Sequence, residues 1–225
     1  MQYTDLYGQK QDPNNTLILY HGSQAIIDSP KYGYGNPAND YGLGFYATQN
    51  YSLACEWSVL GSGEDGYVNC YNIDVTGLQV LQLSCLPSTH WIAALMKYRG
   101  GSYRPRVRRT MQRFISKYLI DLELHDLVIG WRADDSYYQF VQDFILGDLS
   151  MENLEEAMHL GDLGTQVCVK SKIAFHSLQF LRAEKALAAT HYELALKRDH
   201  HAREEYERIA SSDFASRGTR ITDMI

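Results

Sequence analysis

The period of the apolar positions changes several times along this chain, and each change marks an element. Thr16-Leu17-Ile18-Leu19-Tyr20 is a continuous apolar run that predicts a buried strand over about 16–21. A polar loop with Pro30, Gly33, Gly35 and Pro37 follows, and 43–47 predicts a short strand. From Asn50 the spacing becomes helical, with Leu53, Ala54, Trp57 and Leu60 on one face and Asn50 as the cap. Residues 67–75 read as a strand, and 77–83 form a second alternating run. Helices are expected over 88–98 and 106–120, the second with Pro105 just before its start. A compact buried strand at 127–130 precedes the turn Ala133-Asp134-Asp135-Ser136 and a helix over about 137–146. Ser150 caps a further helix over 151–159, 165–170 is a strand, and Ile173 onward predicts one more short strand.

The stretch from about 182 to 211 contains no Gly or Pro and is rich in Ala, Glu, Lys and Arg. It predicts a long, mostly exposed helix with Ala183, Ala186, Leu187, Leu194 and Leu196 as a partial apolar stripe. Residues 211–225 are expected to form a loose end, and 1–15 a leader. Strands and helices mix without regular βαβ alternation, which predicts an α+β fold.

Composition narrows the class. With 225 residues and 45% hydrophobic content, the chain can form one packed domain and an appendage. No apolar stretch approaches the ~20 residues of a membrane helix. The first residues lack a basic region followed by an apolar one, so a cytoplasmic protein is expected. The four cysteines, Cys55, Cys70, Cys85 and Cys168, are scattered, which predicts reduced buried thiols and no zinc site.

The net charge of −6 gives no overall attraction to nucleic acid. Its distribution is uneven: eight of the 21 Lys and Arg lie between Lys97 and Lys117, with no acid among them. That window is either a solvated helix face or, through its interleaved Tyr98, Tyr103 and Phe114, a surface for nucleic acid or another anionic partner.

Candidate chemistry sits at strand ends. His21 closes the first strand in Tyr20-His21-Gly22-Ser23. Tyr46 follows two glycines in Asp40-Tyr41-Gly42-Leu43-Gly44-Phe45-Tyr46-Ala47-Thr48, where the backbone must turn before a strand. Gln166 leads Thr165-Gln166-Val167-Cys168-Val169, and Asp134 and Asp135 lie together after a buried strand. Each residue alone has a structural reading: a strand-end histidine bonded to backbone, a core tyrosine, a surface glutamine, a helix N-terminus favoured by acids.

Taken in order, Tyr20-His21-Gly22-Ser23, Gly44-Phe45-Tyr46, Gly130-Trp131-Arg132-Ala133-Asp134-Asp135 and Thr165-Gln166-Val167 resemble the ADP-ribosyltransferase superfamily. The resemblance is to its His-Tyr-Glu branch, shared by diphtheria-type toxins and poly-ADP-ribose polymerases. More narrowly, it is to a bacterial family of that branch with glutamine at the third position. It covers about 16–182, leaving 183–225 as a helical extension.

The resemblance implies a split mixed/antiparallel sheet core with flanking helices, and NAD as substrate. It implies that His21 bonds a ribose hydroxyl, Gly22 offers backbone groups to the nicotinamide amide beside Ser23, and Tyr46 stacks on the ring. Ser52 would reach the carboxamide. Gln166 keeps a hydrogen bond to the ribose but brings no charge and cannot act as a base. Asp134 and Asp135 are the candidate replacements for the missing carboxylate.

The implied activity is transfer of ADP-ribose to a macromolecular acceptor, protein or nucleic acid, by a toxin-like or regulatory effector. A neutralising partner would bind the final helix, and no membrane is involved. A non-catalytic NAD or ADP-ribose binding module, and an NAD glycohydrolase, remain as alternatives.

Overall fold

The computed structural model describes residues 15–133, 135–160, 164–212 and 215–225, with the backbone alone at 135–137. Two sheets form its centre. In the first, β1 (Thr16–Ser23) and β7 (Leu178–Ala186) flank β3 (Gly66–Asp74), all antiparallel. The second runs β2-β6-β5-β4, from β2 (Phe45–Ala47) through β6 (Thr165–Val169) and β5 (Leu127–Trp131) to β4 (Val80–Gln82). Only the β4–β5 pair is parallel. The fold is therefore α+β with a split mixed/antiparallel sheet core, flanking helices and a long C-terminal helix. Tyr20 and Thr48 exchange two backbone hydrogen bonds, of 2.7 and 2.9 Å, at the point where the sheets meet.

Strand alternation sorts the side chains into layers. Leu19, Tyr71 and Ile73 of the first sheet meet Phe45, Leu127, Ile129, Val167 and Val169 of the second. Val128 and Cys168 point the other way, into a larger core with Trp91, Ile92, Leu95, Phe114 and Phe144. Those residues belong to α2 (Ser88–Tyr98), α3 (Pro105–Tyr118) and α4 (Asp135–Leu146); α5 (Met151–Met158) adds Leu154. On the outer side of the first sheet, α1 (Tyr51–Leu60) packs Ala54, Cys55 and Val59 against Val68 and Ala186.

Several elements follow their local signals closely. α2 spans the predicted residues, and Asn50 caps α1 by accepting a 3.3 Å bond from the Leu53 amide. Pro105 is the first residue of α3 rather than its predecessor, where its missing N–H costs nothing. The alternating run 77–83 yields only the short β4, followed by a 3-10 turn at Leu83–Cys85.

The largest correction lies between 172 and 187. The strand expected from Ile173 begins later: Ser171 caps a short helix, α6 (Lys172–Ser177), before β7, and β7 takes in 182–186, the residues expected to open the long helix. Their composition favours a helix, but β3 offers an unpaired strand edge from Gly66 to Ile73, and pairing with it overrides local propensity. The long helix α7 starts at Ala188 and ends at Ala210.

Its buried positions are Ala195, Ala202 and Tyr206, whereas Leu187, Leu194 and Leu196 are exposed. The expected stripe of Ala183, Ala186, Leu187, Leu194 and Leu196 is thus replaced by two alanines and a tyrosine. The end of the chain is also anchored rather than loose. Ala215 and Ile221 are buried, and Lys117 and Tyr118 both donate to the Met224 carbonyl, at 2.7 and 2.9 Å. All four cysteines are free thiols, with Cys85 half-buried and the rest buried. Among the described residues no helix is long and apolar enough to cross a membrane.

Candidate functional site

A tight turn builds the site. Gly42 takes φ +77°, the left-handed region, and a Cβ there would lie 2.5 Å from the Tyr98 ring. The buried Lys170, just past β6, donates to the carbonyls of Tyr41 at 2.8 Å and Leu43 at 3.2 Å, clamping the turn from beneath. The Tyr46 hydroxyl donates to the Gly42 carbonyl at 2.7 Å and accepts from the Tyr41 amide at 3.0 Å. The fully buried Tyr41 donates its own hydroxyl to the Trp131 carbonyl at 2.5 Å.

This anchored turn swings Asp40 inward, where it is only 3% exposed. Its Oδ1 accepts from Arg99 Nε at 2.5 Å, at the end of α2. Its Oδ2 accepts from the Ala133 amide at 2.9 Å and from Gln166 Nε2 at 2.6 Å. A carboxylate can only accept, so the Gln166 amide must present its nitrogen to Asp40 and keep Oε1 as its acceptor. Three charge-assisted bonds hold one buried carboxylate between the turn, α2, β5 and β6.

Asp40, Tyr46, Trp57, Arg99, Arg132 and Gln166 line a cavity of about 310 Å³, completed by Asn39 and Ala133. The Arg132 guanidinium lies 5.2 Å from the Trp57 ring centroid. The buried indole Nε1 of Trp57 finds no hydrogen-bond partner among the described residues. Among the described lining residues two guanidinium groups accompany one carboxylate.

The predicted site residues divide. Tyr46 and Gln166 share the cavity. His21 reaches it through the backbone: its Nδ1 lies 2.6 Å from the Tyr46 carbonyl oxygen. Since that oxygen only accepts, Nδ1 carries the proton and Nε2 is the acceptor of the neutral ring. The His21 ring also rests on Phe45, with centroids 4.7 Å apart.

Gly22 faces α1, and a Cβ there would sit 2.0 Å from the Ala54 carbonyl oxygen. The close approach that excludes a side chain is therefore made by a helix. Ser23 donates to the Ala25 carbonyl at 2.5 Å and accepts from Asn69 Nδ2 at 3.0 Å, which ties down the loop after β1. Ser52 is exposed in the first turn of α1 and does not line the cavity. Asp134 lies outside the described residues, and Asp135 is described only as the backbone start of α4.

Burial sets the protonation of the site. It holds the His21 imidazole below its ordinary value, against the raising effect of the Tyr46 carbonyl. It pushes the Tyr41 phenol well up, helped by the Asp40 charge, and pushes the Tyr46 phenol up too, helped by Cys168. The Cys168 thiol beneath Tyr46 rises to about 12, so it stays neutral and unreactive. Among the described residues no three His, Cys, Asp or Glu come together as a metal site.

Residues 17–180 match the family described as "Protein of unknown function (DUF3990)". The chain belongs to this family. No curated protein and no solved structure matches it. The DUF3990 region contains every residue that lines the cavity and ends within β7, so α7 lies beyond it.

Asp40, Trp57, Arg99 and Arg132 were not among the residues expected in the site. Asp40 is the one acid in its glycine-rich turn, and Arg99 belongs to the basic window. Both signals were present, but the first pointed to a turn, and the second was open between a solvated face and a surface for an anionic partner. The rest of that window lies mainly on α3, where Arg106, Arg108, Arg109, Arg113 and Lys117 are exposed.

Proposed function

We propose that this DUF3990 protein is a mono-ADP-ribosyltransferase. It cleaves NAD at the nicotinamide glycosidic bond and passes ADP-ribose to a macromolecular acceptor, protein or nucleic acid. The observation that carries this reading is the convergence of Tyr46 and Gln166, 120 residues apart in the chain, on one cavity, with His21 bonded to the Tyr46 carbonyl.

The chemistry fits those groups. Bond cleavage develops positive charge on the ribose while nicotinamide leaves with the bonding electrons. The site must therefore hold the ring flat, fix the sugar and direct acceptor groups at C1′. The Tyr46 hydroxyl is engaged by the turn, so its ring is what it offers for stacking. His21 Nε2 accepts from a ribose hydroxyl, and Gly22 and Ser23, which follow it in β1, border the nicotinamide amide. Gln166 Oε1 accepts from the second ribose, and Arg99 and Arg132 suit the diphosphate. Asp134 and Asp135, beside Ala133, act on the acceptor or the ribose.

A non-catalytic NAD or ADP-ribose binding module is the second reading, favoured by glutamine at 166. Nicotinamide release from NAD, measured with and without cell extract, separates the possibilities. Release that requires extract supports transfer. Release without any acceptor supports glycohydrolysis, and binding without release supports the module. If NAD is neither bound nor cleaved, the reading is wrong.

A further inference from the structure

The question left by Gln166 is how an uncharged amide serves where a carboxylate would stabilise a developing cation. The charge is present, one hydrogen bond away. Asp40 Oδ2 lies 2.6 Å from Gln166 Nε2 and is buried with it. We propose that Asp40 is a positioning residue of this site, and that Asp40 and Gln166 act as a pair. Asp40 locks the amide so that Oε1 faces the ribose, and its negative charge polarises that oxygen through the amide. This rests on the NAD-cleaving reading above.

Three observations carry the proposal. First, the amide cannot flip, because Nε2 is the only group on the Gln166 side chain that can donate to a carboxylate. Second, Arg99 binds Oδ1, away from the glutamine, so the ion pair is oriented with its negative end toward Gln166. Third, Asp40 is held from three elements, by Arg99, Ala133 and Gln166, as preorganised electrostatic stabilisation requires. In the step itself, the C1′–N bond breaks with its electron pair going to neutral nicotinamide, and the acceptor oxygen or nitrogen bonds C1′ and gives its proton to solvent water. Asp40 accepts hydrogen bonds throughout and does not serve as the base.

The test exchanges the two groups. In Gln166→Glu two carboxylates meet, so one proton is shared between them. The introduced carboxyl, while protonated, mimics glutamine by donating to Asp40 and leaving one oxygen to accept. Nicotinamide release by Gln166→Glu is therefore expected to persist at acid pH and to fall as pH rises and the shared proton leaves.

Among the described residues, the other ionisable groups around the pair are Arg99, Arg132, Tyr41, Tyr46 and Cys168, with His21 on the far side of Tyr46. All are common to the wild type, whose profile is the baseline. Asp40→Asn puts an amide where three donors converge, and Gln166 relieves the clash by turning its nitrogen outward. Its kcat is expected to fall about 100-fold with KM for NAD nearly unchanged. When Asp40→Asn and Gln166→Glu are combined, the amide moves to position 40 and donates to the carboxylate now at position 166. There kcat should recover in part, limited by the Ala133 amide that loses its acceptor.

Two outcomes overturn the proposal: a Gln166→Glu profile superimposable on the wild type, or an Asp40→Asn protein that folds and keeps full kcat. Should Asp40→Asn fail to fold, Gln166→Glu decides alone, since it leaves the Asp40–Arg99 pair intact. NMR of the Gln166 side-chain amide separates the two levels of failure. If the wild type releases no nicotinamide, the NAD reading fails. The pair then still stands or falls on two signals: strongly shifted Gln166 amide protons, and an upward-shifted titration of the carboxyl introduced by Gln166→Glu.

Discussion

A methyl group on Gly22 would lie 2.0 Å from the Ala54 carbonyl oxygen and 2.7 Å from the Ser58 amide nitrogen. Both are backbone atoms and cannot rotate away, so Gly22→Ala must push α1 off β1. Overpacking of this kind costs about 1–3 kcal/mol, which thermal unfolding would register. Because α1 carries Trp57 into the cavity, KM for NAD should rise in the same variant.

His21 makes a different prediction. Its imidazole is held below the ordinary value of 6.5, so the unfolded chain binds the proton more readily. Wherever that holds, stability rises with pH. The contribution of neutral His21 is complete above about 6.5 and is lost as pH falls toward the folded value. Unfolding measured from pH 8 down to about 5 should therefore show a steeper loss for the wild type than for His21→Gln. Equal slopes would mean that the ring is not held neutral.

Helix α1 is stabilised at its start by a signal legible in one residue. Asn50 Oδ1 satisfies an amide that has no partner within the helix. Asn50→Ala is expected to cost about 1 kcal/mol in chemical denaturation, with the fold retained. Farther along, Glu56 on the same helix pairs with Arg198 of α7. Strand β7 illustrates the opposite case. Its second half, 182–186, carries helix-favouring residues, and its neighbour β3 decides the matter. On α3, Met111 and Phe114 face inward and the arginines outward, which follows from helical period alone.

Two sheets and a helical layer are tied together by the end of the chain. Tyr206 of α7 stacks on Phe140 of α4, with ring centroids 3.6 Å apart, and bonds Asp143. Beyond it, Ser150 and Met151 donate backbone bonds of 2.9 and 2.8 Å to the Ala215 and Thr219 carbonyls, and the Asn153 side-chain amide also donates to the Ala215 carbonyl. The segment after α7 thus closes over the start of α5. Ile221→Ala, at a position only 2% exposed, should cost about 2–5 kcal/mol. The urea midpoint would fall while the urea dependence stays unchanged. A shift no larger than that of an exposed substitution would show that the segment is not docked.

The periods of the apolar residues, the caps at Asn50 and Ser150 and the proline opening α3 were enough to place most strands and helices, because each depends on neighbours within a turn or a strand. The motifs also marked Tyr46 and Gln166, the two expected residues that line the cavity. What no local pattern could carry was pairing across long separations. Gln166 and Asp40 stand 126 residues apart, and Arg99 lies 59 residues from the same carboxylate. A single acid in a glycine turn and a single base in a cationic window each look solvated until folding removes the water between them. Burial then forces every donor and acceptor to find a partner. That requirement, rather than local propensity, joins Asp40, Arg99 and Gln166, while the open edge of β3 draws the helix-prone residues 182–186 into β7.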